Sequence, residues 1–220
     1  MNDRFMWEGI HLRSCGGLFN DRAVDRFIEA KHAWSKIAVR ELLAQQSIVR
    51  VLETNAGYGW LTATYVAAGA TVTCIEKDKR GFDLLEANMK NLPVSCWHSD
   101  NTKALSLFEK DKFDVIDIDP SGSPQPVLDM VLERGLPRIL FVTAGEGLHA
   151  RLNRKPDNKV MLARYGDVWR ENWDKLDRGA KEFGRMIVFE YIRQRWPQAV
   201  LRDYTVWPLT SSARLFIEVN

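Results

Sequence analysis

Residues 49–60 read VRVLETNAGYGW and combine a strand, an acid and a turn rich in Asn and Gly just before a predicted helix. Glycine between a strand and a helix lets the backbone approach a ligand closely. The amino terminus of the helix adds N–H groups that have no partner within the helix. The stretch therefore predicts a nucleotide-like ligand site, and its candidate residues are Glu53, Asn55, Ala56, Gly57, Tyr58 and Gly59.

On both sides of this turn, apolar runs of strand length alternate with amphipathic segments of helix length, which is typical of a doubly wound α/β sheet. We predict a sheet of about seven strands, at 48–53, 70–78, 94–100, 112–120, 138–145, 199–209 and 213–219. Helices are predicted at 21–46, 60–68, 79–91, 103–110, 124–135 and 179–196. The last two strands flank the turn-rich TSS, so we expect an antiparallel pair at the sheet edge.

The composition is that of an ordinary globular protein. The chain has 220 residues, 45% of them hydrophobic and 27% charged, which suits a single domain with an N-terminal helical region at 1–47 and a core at 48–220. No apolar run has the length of a membrane span, and charges interrupt the first twenty residues, so we expect no membrane segment, no signal peptide and a cytoplasmic location. Cys15, Cys74 and Cys96 form no C-x-x-C pair, and the four His show no metal spacing, so we expect unpaired thiols and no metal.

Positive charge concentrates in the last third of the chain. Residues 151–202 contain 13 Lys or Arg and 7 Asp or Glu. A solvated helical surface and a phosphate-binding surface both fit this excess. The candidates for phosphate contact lie just beyond the fifth predicted strand and are Arg151, Arg154, Lys155, Lys159 and Arg164.

The turn does not complete a dinucleotide fingerprint, because Thr62 stands where G-x-G-x-x-G needs its third Gly. The pattern E-x-N-x-G-x-G instead resembles the first motif of Rossmann-like methyltransferases that use S-adenosylmethionine, with Asn55 in place of a Gly. Asn tolerates the left-handed backbone conformation better than most residues. The resemblance implies a Rossmann-like methyltransferase sheet that binds S-adenosyl-L-methionine.

Acids and amides also follow the next two strands. Glu76 lies nineteen residues after Gly57, where a carboxylate can accept hydrogen bonds from both ribose hydroxyls. Asp100 and Asn101 follow the third strand, where the resemblance implies contact with the adenine amino group. Each acid taken alone also fits a helix cap. With Lys77, these residues complete the predicted cofactor site, to which Asp119 also contributes.

The stretch DVIDIDPSGSP at 114–124 is the predicted substrate site. It resembles the acid-Pro motif of methyltransferases that act on exocyclic amines, in which acceptors bind the amino hydrogens and favour a nucleophilic nitrogen. Asp119 would accept such a hydrogen bond and later take the proton. The predicted catalytic residues are Asp117, Asp119, Pro120, Ser121 and Gly122.

In more detail, D-x-D-P-x-G-S-P is similar to the motif of the tRNA guanine-N2 dimethyltransferases. LFVTAGEGLHARL, LARYGD and VWPLTSSARLFIEV resemble further segments of that family, although Gly145 and Glu146 replace its Thr-Asp. The resemblance implies RNA binding and methylation of guanine N2 in tRNA. The family's further C-terminal domain has no counterpart in this sequence, so a protein partner that supplies substrate binding is a further expectation.

Three other functions remain open at this point. DNA or a small-molecule amine would use the same strand ends as substrate. A catalytically silent subunit would bind the cofactor and serve a partner, and a nicotinamide enzyme is the third alternative. The aromatic residues are open to two interpretations as well, since Tyr58, Trp60, Trp97, Trp169 and Trp173 suit either base stacking or core packing.

Overall fold

A computed structural model describes residues 4–13, 22–109, 112–120, 122–135, 137–146, 158–176, 182–207 and 212–219. Its centre is a seven-stranded sheet with the order β5-β4-β3-β6-β7-β9-β8. The strands of this sheet are β3 (Arg50–Thr54), β4 (Thr71–Glu76), β5 (Val94–His98), β6 (Val115–Ile118), β7 (Ile139–Ala144), β8 (Ala199–Trp207) and β9 (Ser212–Val219). Strands β3 to β7 pair in parallel, and β9 runs antiparallel to both β7 and β8.

Helices cover both faces of the sheet. They are α1 (Arg22–Leu43), α2 (Trp60–Ala67), α3 (Lys79–Met89), α4 (Asn101–Leu107), α5 (Gln125–Arg134), α6 (Asn158–Asn172) and α7 (Glu190–Arg195). A 3-10 turn at Trp173–Lys175 follows α6, and a π-helix at Phe183–Phe189 precedes α7. A separate hairpin of β1 (Arg4–Trp7) and β2 (Ile10–Arg13) lies at the start of the chain.

The hydrophobic core has two layers, one on each face of the sheet. Residues of β6 and β7 are buried without a break, as expected for central parallel strands covered on both faces. One layer joins α1, α2 and α3 to the sheet and includes Val39, Tyr65 and Leu85. The other joins α4, α5, α6 and the π-helix to it and includes Leu128 and Ile187.

The predicted doubly wound sheet and its antiparallel edge pair are confirmed. The β1–β2 hairpin and α6 were not predicted, and the predicted helix at 179–196 is described as the π-helix followed by α7. Gly184 lets the π-helix approach β9, because a Cβ at this position would lie 2.7 Å from the Cβ of Ala213. The single-domain assignment stays a prediction.

Within the described ranges, the structure contains no helix of sufficient length and apolar character to cross a bilayer.

Candidate active site

The turn between β3 and α2 is built on three residues with left-handed backbone conformation. Asn55, Gly57 and Gly59 have φ values of 61°, 58° and 90°. Asn55, which stands where the methyltransferase motif has a Gly, therefore adopts the left-handed conformation. A Cβ on Gly59 would lie 2.7 Å from Cε of Met89, whereas a Cβ on Gly57 would meet no atom within 4 Å. Gly59 is needed for packing on α3, and Gly57 leaves its side of the turn open.

Glu76 braces this turn from the end of β4. Its Oε2 accepts a hydrogen bond from the Gly57 amide at 2.8 Å, and its Oε1 accepts one from the Asp78 amide at 2.7 Å. The Ala56 amide also donates to the carbonyl of Ile75 at 3.0 Å. Because each carboxylate oxygen has a second lone pair, Glu76 can brace the turn and still accept from a ligand hydroxyl.

Asn101 links the turn to the third strand end. Its Nδ2 donates to Oδ1 of Asn55 at 2.8 Å. Its own Oδ1 is buried and has no hydrogen-bond partner among the described residues. A buried acceptor without a partner costs free energy, on the order of 1–3 kcal/mol. A ligand amino group is the kind of donor that would satisfy it.

Asp100 is the N-cap of α4, so the helix-cap interpretation holds for this residue. Its Oδ1 accepts from the amide of Thr102 at 3.0 Å and from the Thr102 hydroxyl at 2.6 Å. Its Oδ2 pairs with Nζ of Lys77 at 3.0 Å. The Thr102 hydrogen bonds and then Lys77 lower the pKa of Asp100 to about 2.

Glu53 lies behind the turn in the core. Its Oε2 accepts from the Thr62 hydroxyl at 2.6 Å. Burial, followed by the neighbouring charge of Asp117, raises the pKa of Glu53 well above its usual value. This environment favours the protonated form of Glu53, which supports the turn from the interior.

Asp117 requires a correction, because it does not face the substrate side of the sheet edge. Its side chain is fully buried. Arg214 donates from Nη1 to Oδ1 at 3.0 Å and from Nη2 to Oδ2 at 2.6 Å, and the hydroxyl of Tyr65 donates to Oδ2 at 2.6 Å. With both oxygens engaged in the interior, Asp117 holds the fold together and does not frame a target amine.

Asp119 does reach the sheet edge, where its side chain is 23% exposed. Its Oδ2 pairs with the ammonium of Lys31 from α1, and its Oδ1 lies 3.9 Å from Nη1 of Arg214. Burial alone would raise the pKa of Asp119, but Lys31 and then Arg214 outweigh it and lower the pKa to about 2. Asp119 is therefore a permanent carboxylate at physiological pH.

The loop after Asp119 is open to solvent. Pro120 is half-buried and Gly122 is exposed, and a Cβ on Gly122 would meet no atom within 4 Å. The Gly122 carbonyl accepts from the Gly145 amide at 3.0 Å, which ties the loop to the end of β7. Ser121 lies outside the described residues.

Beside this loop, Glu146 of the LFVTAGEGLHARL segment meets Arg164 and Tyr165 of the LARYGD segment. Both segments resemble parts of the tRNA guanine-N2 dimethyltransferases. Glu146 follows β7 and is buried, and it accepts from the guanidinium of Arg164 and from the hydroxyl of Tyr165 in α6. Arg164, in the middle of α6, is therefore held against the end of β7, with part of its side chain exposed. Lys159 is exposed on the same helix, whereas Arg151, Arg154 and Lys155 lie outside the described residues.

The aromatic residues divide into two groups. Tyr58 and Trp60 stack in the cofactor turn with ring centroids 6.5 Å apart, and His32 lies 5.5 Å from Trp60. Trp169 is 1% exposed and packs 4.5 Å from Trp173, so both belong to the core region rather than to an open stacking platform. Trp97 likewise packs against the buried Phe108.

Sequence reasoning missed Arg214, Lys31, Tyr65 and Thr62. Arg214 offered a signal, because it interrupts an apolar strand whose side chains are otherwise buried, and a buried guanidinium needs a carboxylate. Lys31 offered none, since it is one of several charged residues on a long amphipathic helix.

The sheet order is that of the Rossmann-like fold, which solved methyltransferases that use S-adenosylmethionine share. Trm1 from Pyrococcus horikoshii, solved with S-adenosyl-L-methionine, matches with a TM-score of 0.66 at 18% identity, over 98% of this chain and 61% of that chain. TYW2 from P. horikoshii, solved with MeSAdo, matches with a TM-score of 0.61 at 15% identity, over 99% of this chain and 70% of that chain.

A SAM-dependent methyltransferase from Agrobacterium tumefaciens has a TM-score of 0.51 at 20% identity, over 65% of this chain and 52% of that chain. No protein-family profile and no curated protein sequence matches the chain. The chain thus shares its fold with these enzymes and spans about three fifths of the length of the Trm1 structure.

The buried ion pair leads to a prediction about stability. We expect Arg214→Met to lower the free energy of unfolding by about 3–5 kcal/mol, because Asp117 would be left buried without its countercharge. The double variant Arg214→Met, Asp117→Leu should lose less than Arg214→Met alone. Urea unfolding followed by circular dichroism measures both.

The matched control is Arg202→Met, whose partly exposed ion pairs with Glu41 and Glu218 should contribute less than about 1 kcal/mol. Equal losses for the Arg214 and Arg202 variants would contradict the central role of the buried pair.

His32 predicts a pH dependence of stability. Burial, then the charges of Lys31, Arg214 and Lys36, lower its pKa to about 3 in the folded state, against about 6.5 when unfolded. Between these two pKa values only the unfolded chain binds the proton. The contribution of His32 to the free energy of unfolding is therefore fully present above pH 6.5 and is lost as the pH is lowered. The loss should reach about 2 kcal/mol at pH 5.

His32→Gln removes this titration, so its free energy of unfolding should fall less between pH 7 and pH 5 than that of the wild type. Comparing the two proteins cancels the opposite contribution of Glu53, whose raised pKa favours the folded state at lower pH. Parallel pH profiles for the two would show that His32 is not the group responsible.

Proposed function

We propose that this protein is an S-adenosylmethionine-dependent methyltransferase that acts on an exocyclic amine of a nucleobase, with guanine N2 in tRNA as the leading substrate. The observation that carries the proposal is the meeting of two sites at one sheet edge. The left-handed Asn55–Gly59 turn, braced by Glu76, lies beside the charged Asp119-Pro120 corner at the end of the adjacent strand. Such an edge is where open α/β sheets bind their ligands.

The residues at this edge fit the cofactor. The carboxylate of Glu76 can accept hydrogen bonds from the ribose hydroxyls. The buried Oδ1 of Asn101 can accept one from the adenine amino group. The open side of Gly57 admits a ligand against the backbone. When bound, S-adenosylmethionine would supply an electrophilic methyl group. We assign cofactor contact to the turn, Glu76, Lys77, Asp100, Asn101 and Asp119, with Glu53 as an interior support.

Asp119 would act on the amine as a hydrogen-bond acceptor. Its carboxylate binds an amino hydrogen, favours a pyramidal nitrogen and stabilises the positive charge that develops as the nitrogen is methylated. With a pKa of about 2, Asp119 is a weak base. The excess proton therefore passes to solvent water, and the role of Asp119 is electrostatic. Pro120 and the Ser121-Gly122 backbone would border the amine.

The choice of tRNA rests on the similarity of D-x-D-P-x-G-S-P and three further segments to the tRNA guanine-N2 dimethyltransferases. Arg164 is tied to Glu146, next to the predicted substrate loop, and Lys159 is exposed on the same helix; we propose that both contact phosphates. A base within a duplex would have to be flipped out of its stack to reach Asp119. A partner protein that adds RNA contacts and a cytoplasmic location are parts of the same proposal.

One observation favours a second function, that of a catalytically silent subunit which binds the cofactor for a partner. Oδ2 of Asp119, which could accept a hydrogen bond from the amine, is already paired with the ammonium of Lys31. If that pair persists when substrate is present, the amine loses its acceptor.

The test is methyl transfer from labelled S-adenosylmethionine to unmodified tRNA, with DNA and a panel of small amines alongside, followed by nucleoside analysis. We expect Asp119→Asn to lower kcat by about 10²–10³, because a donor or acceptor aimed at developing charge has this effect. Cofactor affinity should fall by a much smaller factor than kcat in this variant, because the turn, Glu76 and Asn101 would keep their assigned cofactor contacts. Asp174→Asn is the matched control, since Asp174 is an exposed acid in the 3-10 turn after α6.

A complementary measurement is cofactor binding by calorimetry. We expect Glu76→Gln to raise the Kd for S-adenosylmethionine at least tenfold. A wild type that does not bind S-adenosylmethionine would overturn the proposal entirely. Binding without transfer to any amine would favour the silent subunit, and transfer to DNA or small amines alone would reject the tRNA substrate.

A further inference from the structure

Two cysteine thiols lie in contact on neighbouring strands of the sheet. Cys74 on β4 and Cys96 on β5 are directly opposite each other in the parallel register. Cys74 donates its S–H to the sulfur of Cys96, with 3.5 Å between the two Sγ atoms. Cys74 is fully buried, whereas Cys96 is partly exposed. This contact could not be predicted from the sequence, because 21 residues separate the two cysteines.

The geometry of the strands suits a covalent bond between these sulfurs. Neighbouring strands lie about 4.7–4.9 Å apart, which falls within the range of about 4.4–6.8 Å that Cα atoms need for a disulfide. The two side chains already point to the same face, since their sulfurs touch. A disulfide has an S–S distance of about 2.05 Å, so side-chain rotation with a small strand movement would close the gap.

The two thiols differ in reactivity. The hydrogen bond from Cys74 lowers the pKa of Cys96, which increases its thiolate fraction. The same hydrogen bond, followed by burial, raises the pKa of Cys74. Because the thiolate is the nucleophile, the more exposed Cys96 is the thiol that an oxidant meets first, and Cys74 is placed to resolve it.

We propose that Cys74 and Cys96 form a redox modification site, at which a peroxide converts the thiol pair into a reversible disulfide between β4 and β5. The Cys96 thiolate attacks the peroxide, so that an S–O bond forms, the O–O bond breaks and one water leaves after protonation. The Cys74 sulfur then attacks Cys96, so that the S–S bond forms and the S–O bond breaks. The Cys74 proton leaves with the second water, and the two sulfurs together give two electrons to the peroxide.

The position of the pair gives the modification a place in the ligand site. Cys74 precedes Glu76 by two residues on β4, and its neighbour in the register on the other side is Glu53 of β3. A bond between β4 and β5 would therefore join the strand that braces the cofactor turn to the strand that leads into Asp100. This inference does not depend on the proposed methyl transfer, because the thiol chemistry needs no cofactor.

The experiment uses the full chain carrying Cys15→Ser, so that Cys74 and Cys96 are the two cysteines left in the sequence. The folded protein is treated with hydrogen peroxide at a few equivalents and analysed by intact mass and by thiol titration. We expect a loss of about 2 Da, a fall from two titratable thiols to none, and recovery of both with dithiothreitol. Proteolytic mapping should recover one peptide pair joined through Cys74 and Cys96.

Two variants test the assigned roles. In Cys74→Ser, Cys96 should accumulate as a sulfenic acid, about 16 Da heavier and trapped by dimedone. In Cys96→Ser, the buried Cys74 should stay reduced under the same treatment. A wild-type site that keeps both thiols, gains oxygen without losing hydrogen, or forms only intermolecular disulfides would overturn the inference. Peptide mapping of the Cys15→Ser protein decides the question even if either variant fails to fold.

Discussion

The ion pair between Arg214 and Asp117 is the interaction on which the rest of the site depends. Both side chains are fully buried, so each charge has lost its hydration and would be costly without the other. Burial opposes the charge on Arg214, but the carboxylates of Asp117 and Asp119 outweigh burial and raise its pKa. The pair is possible because β9 runs antiparallel beside β7 and carries Arg214 to the carboxyl edge of the parallel strands.

This pair affects the surroundings of three acids in and beside β3 and β6. Asp117 pairs with Arg214 in the core, and after burial its charge is the second cause that raises the pKa of Glu53. Asp119 is charged because Lys31 and Arg214 both face it. The three carboxyl groups thus have different partners, since Asp117 pairs with Arg214, Glu53 accepts from Thr62 and Asp119 faces Lys31. These partners separate the two structural acids from the acceptor at the sheet edge.

The sequence predicts the elements that local pattern controls. The parallel strands follow from uninterrupted apolar runs, and the β3–α2 turn follows from Asn55, Gly57 and Gly59, whose backbone conformation only a few residue types adopt readily. Asp119 could be placed at the sheet edge because Pro120 ends the strand there. Spacing within one segment is enough for each of these predictions.

The pairings between distant segments could not be predicted in the same way. Asp117 lies in β6 and Asp119 just beyond its end, at a spacing that puts both on one side of an extended chain. Pro120 places Asp119 at the sheet edge, but no local pattern shows that Asp117 is paired inside the core. The difference comes from Arg214, almost a hundred positions later, and from Lys31 on α1. A lone Arg in an apolar strand is a signal that a buried acid exists, but the sequence offers two candidates for that acid.

The two halves of the candidate site differ in how far they are preorganised, and this difference bears on specificity. On the cofactor side, Glu76, Asp100 and Asn101 are already fixed by backbone amides, a helix cap and Asn55. On the proposed substrate side, Asp119 pairs with the ammonium of Lys31, which an amine substrate would have to displace or share.

Separating Lys31 from Asp119 costs free energy unless the substrate offers the ammonium a new acceptor, because a partly buried charge needs a partner. An amine with no neighbouring acceptor would leave Lys31 unsatisfied, whereas a nucleobase edge presents an amino group and acceptor atoms side by side. Guanine has N3 next to its N2 amine, so a single base edge can satisfy both Asp119 and Lys31. Under the proposed function, the Lys31–Asp119 pair would then favour a nucleobase over a simple amine as substrate.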